Sequence, residues 1–280
     1  MPGGQLFLVG TPIGNLEDIT LRALRVLREV DLIAAEDTRR TRELLSHYDI
    51  HTPLISYHRH NLSRKIPRLL GLLKEGKRIA LVTDAGMPGI ADPGAELVRE
   101  TIAAGFEIIP VPGPSALVTA LVISGLSTDR FIFEGFLPRE PARRLKLLQS
   151  LAFESRTLIF YEAPHRLVET LEDLAAVFGE RQLVVARELT KKFETAWRGT
   201  PAAAAAYFKT NPPRGEVTLV VAGAPPQGAP DFKPEDAARE VRELAAKGYD
   251  LKEAMRVVAL KYRRPRRDIY RAVLEAKDVD

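Results

Sequence analysis

Ile79-Ala80-Leu81-Val82-Thr83-Asp84-Ala85-Gly86-Met87-Pro88-Gly89-Ile90-Ala91-Asp92-Pro93-Gly94 runs a short apolar segment straight into a loop dense in glycine and proline. An amphipathic stretch from Pro93 to Ala104 follows, so the segment reads as a buried strand, a loop and a helix. Asp92 before Pro93, like Thr200 before Pro201, reads as an N-cap ahead of a proline in the first helical position. The same unit recurs toward the N-terminus, with Leu6-Phe7-Leu8-Val9 before Leu21 to Val30 and Leu32-Ile33-Ala34-Ala35 before Thr38 to Leu45. Such alternation predicts parallel strands, a sheet covered on both faces, and a ligand cleft beyond the carboxyl ends of the strands.

A second α/β unit follows the turn-rich Pro110-Val111-Pro112-Gly113-Pro114. Strands are expected at Phe131-Ile132-Phe133, Thr157 to Phe160, Leu183 to Ala186 and Val217 to Ala222, with helices at Ala142 to Leu151, Arg166 to Phe178 and Ala202 to Phe208. Phe193 to Arg198 looks like a further strand directly after its predecessor, which predicts some antiparallel pairing. The expected architecture is two α/β domains, 1–112 with a mostly parallel sheet and 113–224 with a mixed sheet. A proline-rich linker at 225–233 and a small basic helical unit at 234–280 complete it.

The chain has 280 residues, 41 basic against 37 acidic side chains, and no cysteine. The missing cysteine excludes disulfides, thiolate metal sites and a cysteine nucleophile. A zinc site built from His47, His51, His58 and His60 lacks the cysteine or paired acid that would complete it, so no metal is expected. The first apolar run, Leu6 to Val9, is far shorter than a membrane span or signal core, and a cytoplasmic location without membrane contact is expected. A net charge of +4 is too small to argue for nucleic acid; its distribution says more. Lys261, Arg263, Arg264, Arg266 and Arg267 cluster near the C-terminus as candidate polyanion contacts. Smaller clusters lie at Arg139, Arg143, Arg144, Lys146 and at Arg59, Arg64, Lys65, Arg68, where solvated helix faces are an equal alternative.

Three loops carry the chemistry. Gly10-Thr11-Pro12-Ile13-Gly14-Asn15-Leu16 follows the opening strand but has neither the dinucleotide glycine spacing nor a Gly-Lys-Ser/Thr ending, which removes a nicotinamide oxidoreductase and a P-loop enzyme. Thr83 to Gly94 places Asp84 at a strand end, where its carboxylate can accept from ligand hydroxyl or amino groups. Val111-Pro112-Gly113-Pro114-Ser115-Ala116 presents Ser115 and free amides at a helix start.

Taken together with Glu36-Asp37-Thr38-Arg39, Tyr57-His58 with Asn61, Arg156 to Arg166 and Ala186 to Lys191, these loops resemble the tetrapyrrole methylase superfamily, in its RNA-modifying branch. The resemblance covers nearly all of residues 5–280. It implies two α/β domains holding S-adenosylmethionine between them, a homodimer, and 2′-O-methylation of a cytidine in the 16S RNA of the small ribosomal subunit, with that RNA or the 30S subunit as partner. The family's cofactor contacts fall on Val82, Asp84, Met87, Ser115, Ala116, Tyr161, Leu189 and Glu216. Small-molecule members carry Ala-Gly-Pro-Gly where this chain has Thr11-Pro12-Ile13-Gly14.

A ribose hydroxyl is a poor nucleophile at neutral pH, so a proton acceptor is expected, with Glu36, Asp37 and His58 as catalytic candidates. Glu36 and Asp37 end the second strand, and either could instead pair with Arg39 or cap the next helix. A tetrapyrrole methylase and a non-enzymatic RNA-binding module are the competing readings; the basic C-terminus speaks against the first and the intact loops against the second.

Overall fold

The computed structural model describes residues 3–213, 215–225, 232–246, 249–262 and 264–276. Its chain divides into two compact units, Met1–Ala224 and Pro225–Asp280.

The first unit opens with β1 (Gln5–Val9), α1 (Leu21–Glu29), β2 (Leu32–Ala35), α2 (Thr38–His47), β3 (Leu54–Ser56), α3 (Leu62–Lys74), β4 (Arg78–Val82), α4 (Gly94–Ala103) and β5 (Glu107–Val111). The five strands form a parallel sheet in the order β3-β2-β4-β1-β5. Strand alternation sorts its side chains to two faces. Val9, Ile33, Ala35, Ala80 and Val82 pack under α1 and α2, whereas Leu6, Ala34, Ile79 and Leu81 pack with Leu69 and Leu73 of α3 and Leu97 of α4. Pro110 is tolerated because β5 is an edge strand.

The unit continues with α5 (Ala116–Ser124), β6 (Phe131–Phe136), α6 (Pro141–Ser150), β7 (Thr157–Glu162), α7 (Leu167–Phe178), β8 (Leu183–Arg187), β9 (Thr195–Gly199), α8 (Pro201–Thr210) and β10 (Val217–Val221). This second sheet, ordered β6-β7-β10-β8-β9, is mixed: β6 runs parallel to β7, and the other pairs are antiparallel. One face is covered by α6, α7 and α8 through Leu148, Leu171, Leu174 and Phe208; the other meets α5 through Leu117, Ala120 and Leu121.

The α/β class and the mixed second sheet match the expectation from sequence; several local readings are corrected. Helix α4 starts at Gly94 with Pro93 at its N-cap and no side-chain cap, so Asp92 is not the capping residue expected from sequence; one residue earlier, its carboxylate accepts from Gly89 N at 2.8 Å, Ile90 N at 3.1 Å and Gly94 N at 2.7 Å, closing the loop on itself. Thr200 caps α8 as expected, accepting from Ala203 N. Arg144 is no surface cation: it is buried, with Nε 2.6 Å from Asp173 and Nη2 2.7 Å from Glu169.

The second unit contains α9 (Pro234–Ala246), α10 (Leu251–Lys261) and α11 (Arg266–Glu275), packed through Val241, Met255, Val258, Tyr262 and Ile269. Among the described residues no helix is long and apolar enough to cross a membrane.

Candidate functional site

The loops at the carboxyl end of the parallel sheet are tied to one another by the backbone. Thr11 N donates to Gly86 O at 2.9 Å and Gly86 N to Thr11 O at 3.0 Å, while the Thr11 hydroxyl donates to Thr83 O at 3.1 Å. A side chain at Gly10 would place Cβ 2.7 Å from both Gly113 Cα and Met87 Sδ, so the first and third loops touch only because both positions are glycine. A Cβ at Gly14 would stand 2.6 Å from Leu189 O, which brings the first loop against the β8–β9 turn of the other sheet. Residues in left-handed conformations concentrate here: Ala91 at φ 64°, Glu188 at 52° and Thr190 at 65°. Strain of this kind persists only where the surroundings enforce it.

These loops and the second sheet enclose a cavity with about 240 Å³ of water-accessible space. Of the residues singled out from sequence, Glu36, Asp84, Met87, Ser115, Ala116, Tyr161, Leu189 and Glu216 line it. Val82, Asp37 and His58 do not. The Val82 side chain lies in the core under α1 and α2, because strand alternation turns it away from the loops. Asp37 caps α2, accepting from Arg39 N at 2.8 Å and pairing with the Arg39 guanidinium at 3.0 Å. Those hydrogen bonds hold its carboxyl down at about 2. His58, beyond β3, has Nε2 3.1 Å from the Asn61 amide and a buried Nδ1 with no partner among the described residues.

Two carboxylates meet where β2 and β4 end. Glu36 accepts from the Thr83 hydroxyl at 2.7 Å, and Asp84 accepts from Asp37 N at 2.9 Å with Arg40 Nη1 at 3.5 Å. Burial raises the Asp84 pKa, with the Glu36 and Asp37 charges adding to the rise and the Asp37 amide and Arg40 opposing it. Across the cavity the Tyr161 hydroxyl accepts from Leu117 N at 3.2 Å, and burial raises its pKa. Phe136 leans on the Tyr161 ring at 5.5 Å. Ser115 precedes α5 without spending its hydroxyl on a cap.

Sequence reasoning did not single out Arg40, Phe136, Glu188 or Lys191, all of which line the cavity. Lys191 and Glu188 pair at 3.0 Å on the strained β8–β9 turn. Their presence in the Ala186 to Lys191 stretch was the available signal. Arg40 gave none, since an exposed first-turn arginine is commonplace.

The C-terminal cations have partners of their own. Lys261 Nζ lies 2.6 Å from Glu240, the Arg264 guanidinium sits 5.2 Å over the Phe232 ring, and Arg266 donates to Lys252 O at 3.2 Å. Arg267 is 3.6 Å from Asp268 yet 84% exposed. Arg263 lies outside the described residues.

The family model of the Tetrapyrrole (Corrin/Porphyrin) Methylases matches residues 5–205. The chain is 55% identical to ribosomal RNA small subunit methyltransferase I of Synechocystis sp. over 273 residues, 97% of this chain and 98% of the relative. The protein of the same name from Bacillus subtilis is 44% identical, with 96% and 94% covered. Among solved structures, a cobalt precorrin-4 methyltransferase superposes with a TM-score of 0.59 at 19% identity, covering 78% of this chain and 94% of its own. A diphthine synthase does so at 0.60 and 18%, covering 78% and 90%. At such identities these two are similar in fold alone.

Proposed function

The chain belongs to the tetrapyrrole methylase family, and on that premise we propose that it methylates small-subunit ribosomal RNA, using S-adenosylmethionine to modify the ribose 2′-oxygen of a cytidine. The observation that carries this reading is the convergence of Asp84, Met87, Ser115, Tyr161 and Leu189 on one cavity, in a chain whose full-length relatives bear the name of a ribosomal RNA methyltransferase. The residues present suit the cofactor: Ile13, Met87 and Leu189 offer apolar wall, while Asp84 and the uncommitted Ser115 hydroxyl offer polar partners. Bound there, the cofactor supplies an electrophilic methyl group on a sulfonium.

The remaining tasks fall to the chain. An in-line displacement needs the acceptor oxygen held behind the methyl with water kept out, and Tyr161 with Phe136 forms the aromatic side of that enclosure. Among the three proton-acceptor candidates only Glu36 lines the cavity, and its Thr83 partner fixes one oxygen while the other stays available to the ribose hydroxyl. Val82, packed away from the cavity, supports the loop rather than touching ligand. The basic C-terminal unit, with Lys261, Arg263, Arg264, Arg266 and Arg267, is taken as a sequence-independent RNA contact. The division of the first unit at 112/113, and cytoplasmic action on the 30S subunit, belong to the same proposal. Pairing into a homodimer through α5 draws support from Val118 and Val122, 49% and 68% exposed on an almost wholly apolar helix.

The test has two parts. Calorimetry with S-adenosylmethionine should show saturable binding, and mass-mapping of ribosomal RNA from cells with and without the protein should reveal one missing ribose methyl on the small subunit. An unchanged methyl map would sink the proposal.

A further inference from the structure

Between Tyr57 and Lys74 the chain carries Arg59, Arg64, Lys65, Arg68 and Lys74 and no acidic residue. Lys65 is the anomaly within this run. On α3 it occupies the inward register that Leu69 and Leu73 continue, and it is 8% exposed. No hydrogen bond or ion pair is found for its ammonium among the described residues, yet Nζ is not sealed away from solvent. The stem therefore lies along the core while the ammonium keeps contact with solvent, and side chains on a helix lean toward its N-terminus, here one turn away. Burial, followed by the Arg68 and Arg64 guanidinium groups, lowers its pKa. An ammonium pressed against the core among like charges, with no carboxylate among the described residues to answer it, sits where an anion from outside would relieve the repulsion.

The helix start is prepared for one in a second way. Asn61 stands at the N-cap but turns its side chain backwards, accepting from His58 N at 3.0 Å and reaching Ser56 O at 3.3 Å, so the first amides of α3 receive no side-chain cap. Uncapped amides and the helix dipole favour negative charge at that end. The location suits the reaction: the turn follows β3 at the carboxyl edge of the parallel sheet, and the Tyr57 hydroxyl donates to Pro93 O at 3.2 Å, joining it to the loop that lines the cavity.

We propose that Lys65, flanked by Arg64 and Arg68 at the uncapped start of α3, forms a backbone-phosphate site that holds the RNA strand beside the methyl-transfer cavity. The inference rests on the reading of the protein as an RNA methyltransferase and adds where that RNA is gripped. The paired C-terminal cations contrast with these: Lys261, Arg264 and Arg266 spend their charges or planes on internal partners, whereas Arg59, Arg64, Lys65 and Arg68 have no carboxylate partner among the described residues.

The experiment measures binding of the full chain to small-subunit ribosomal RNA across a salt titration, with thermal stability and S-adenosylmethionine affinity in parallel. Lys65→Met should keep or raise the melting temperature, weaken RNA binding roughly 3- to 10-fold near physiological salt, and reduce the log–log salt slope by about 0.7–0.9. Lys65→Arg should restore both RNA measures. Arg64→Gln with Arg68→Gln should flatten the slope further, independently of any folding effect at Lys65. Lys74→Gln, nine residues along the same helix and so about 14 Å away, should change little. A lowered melting temperature in Lys65→Met with RNA binding untouched, or equal flattening by Lys74→Gln, would overturn the phosphate site alone. Wild-type protein that neither binds nor methylates the RNA would overturn the function it rests on as well.

Discussion

Thr83 donates its hydroxyl to Glu36 at 2.7 Å, so the ends of β4 and β2 present one carboxylate with a fixed orientation to the cavity. Asp84 N approaches the same oxygen at 3.5 Å, leaving the second oxygen uncommitted. Glu36→Gln keeps the shape and removes the proton acceptor; single-turnover methylation should slow by about 10²- to 10⁴-fold with cofactor affinity within a few-fold of wild type. Thr83→Val, which only loosens the carboxylate, should cost roughly tenfold. Equal rates for variant and wild type would move proton removal elsewhere.

Asp84 offers a pH-dependent prediction. Its pKa is raised by burial and by the neighbouring Glu36 and Asp37 charges. A carboxyl whose folded pKa exceeds its unfolded value disfavours the fold when ionised; the penalty is full above the folded pKa and disappears as pH falls below the ordinary 3.8. Asp84→Asn should therefore melt about 1–3 °C higher than wild type at neutral pH, with the gap closing as the solution is acidified. The same substitution should weaken S-adenosylmethionine binding at least tenfold. Calorimetric melts from neutral pH downward check the first statement and titration the second; a gap that widens on acidification would reverse the sign of the argument.

The two sheets were legible because apolar runs such as Ile79 to Val82 and Leu183 to Ala186 are short, β-branched and bounded by turn residues. The segments missed had specific reasons. Pro67 stands inside α3 and the inward register there includes Lys65, which together hide a helix from a periodicity count. Strand β3 has only three residues, Leu54–Ser56, too few for alternation to register. At the site, loop chemistry pointed to Asp84 and Ser115, but Arg40 and Lys191 reach the cavity through contacts dozens of residues away in sequence. Local pattern carries no record of those. The end of β4 was readable in principle: Val82 closes the strand on the same face as Ala80 and packs in the core, whereas Asp84 lies two residues beyond the strand, in the loop.

Arg144 should prove structural. Burial opposes its charge, but hydrogen bonds to Glu169 and Asp173 outweigh that and raise its pKa. Because Glu169 is 55% exposed, the freed acids can hydrate, and Arg144→Met should cost about 1–3 kcal/mol rather than the larger penalty of a sealed pair. Urea unfolding measures this, with the midpoint lowered and the slope unchanged. The salt dependence of RNA binding should not move; a flatter slope would return Arg144 to the RNA-facing surface.

The C-terminal unit calls for substitutions that spare its own packing. Lys261 is paired to Glu240 and Arg264 lies over Phe232, so removing either would disturb the three-helix core, and a loss of RNA binding would then report unfolding. Arg266 and Arg267 open α11, and both side chains are exposed, with Arg267 held only weakly by Asp268 at 3.6 Å. An exposed pair at that distance contributes little to stability. Arg266 donates to Lys252 O of α10, so Arg267 alone is the clean position: if the unit contacts phosphates, Arg267→Gln should lower the log–log salt slope of RNA binding by about 0.7–0.9 while leaving the melting temperature and cofactor affinity in place. Combining this variant with Lys65→Met should give additive slope changes, because phosphate contacts at separate places release counterions independently. A slope identical to wild type would make the C-terminal cations a solvated surface and leave the grip on RNA to α3.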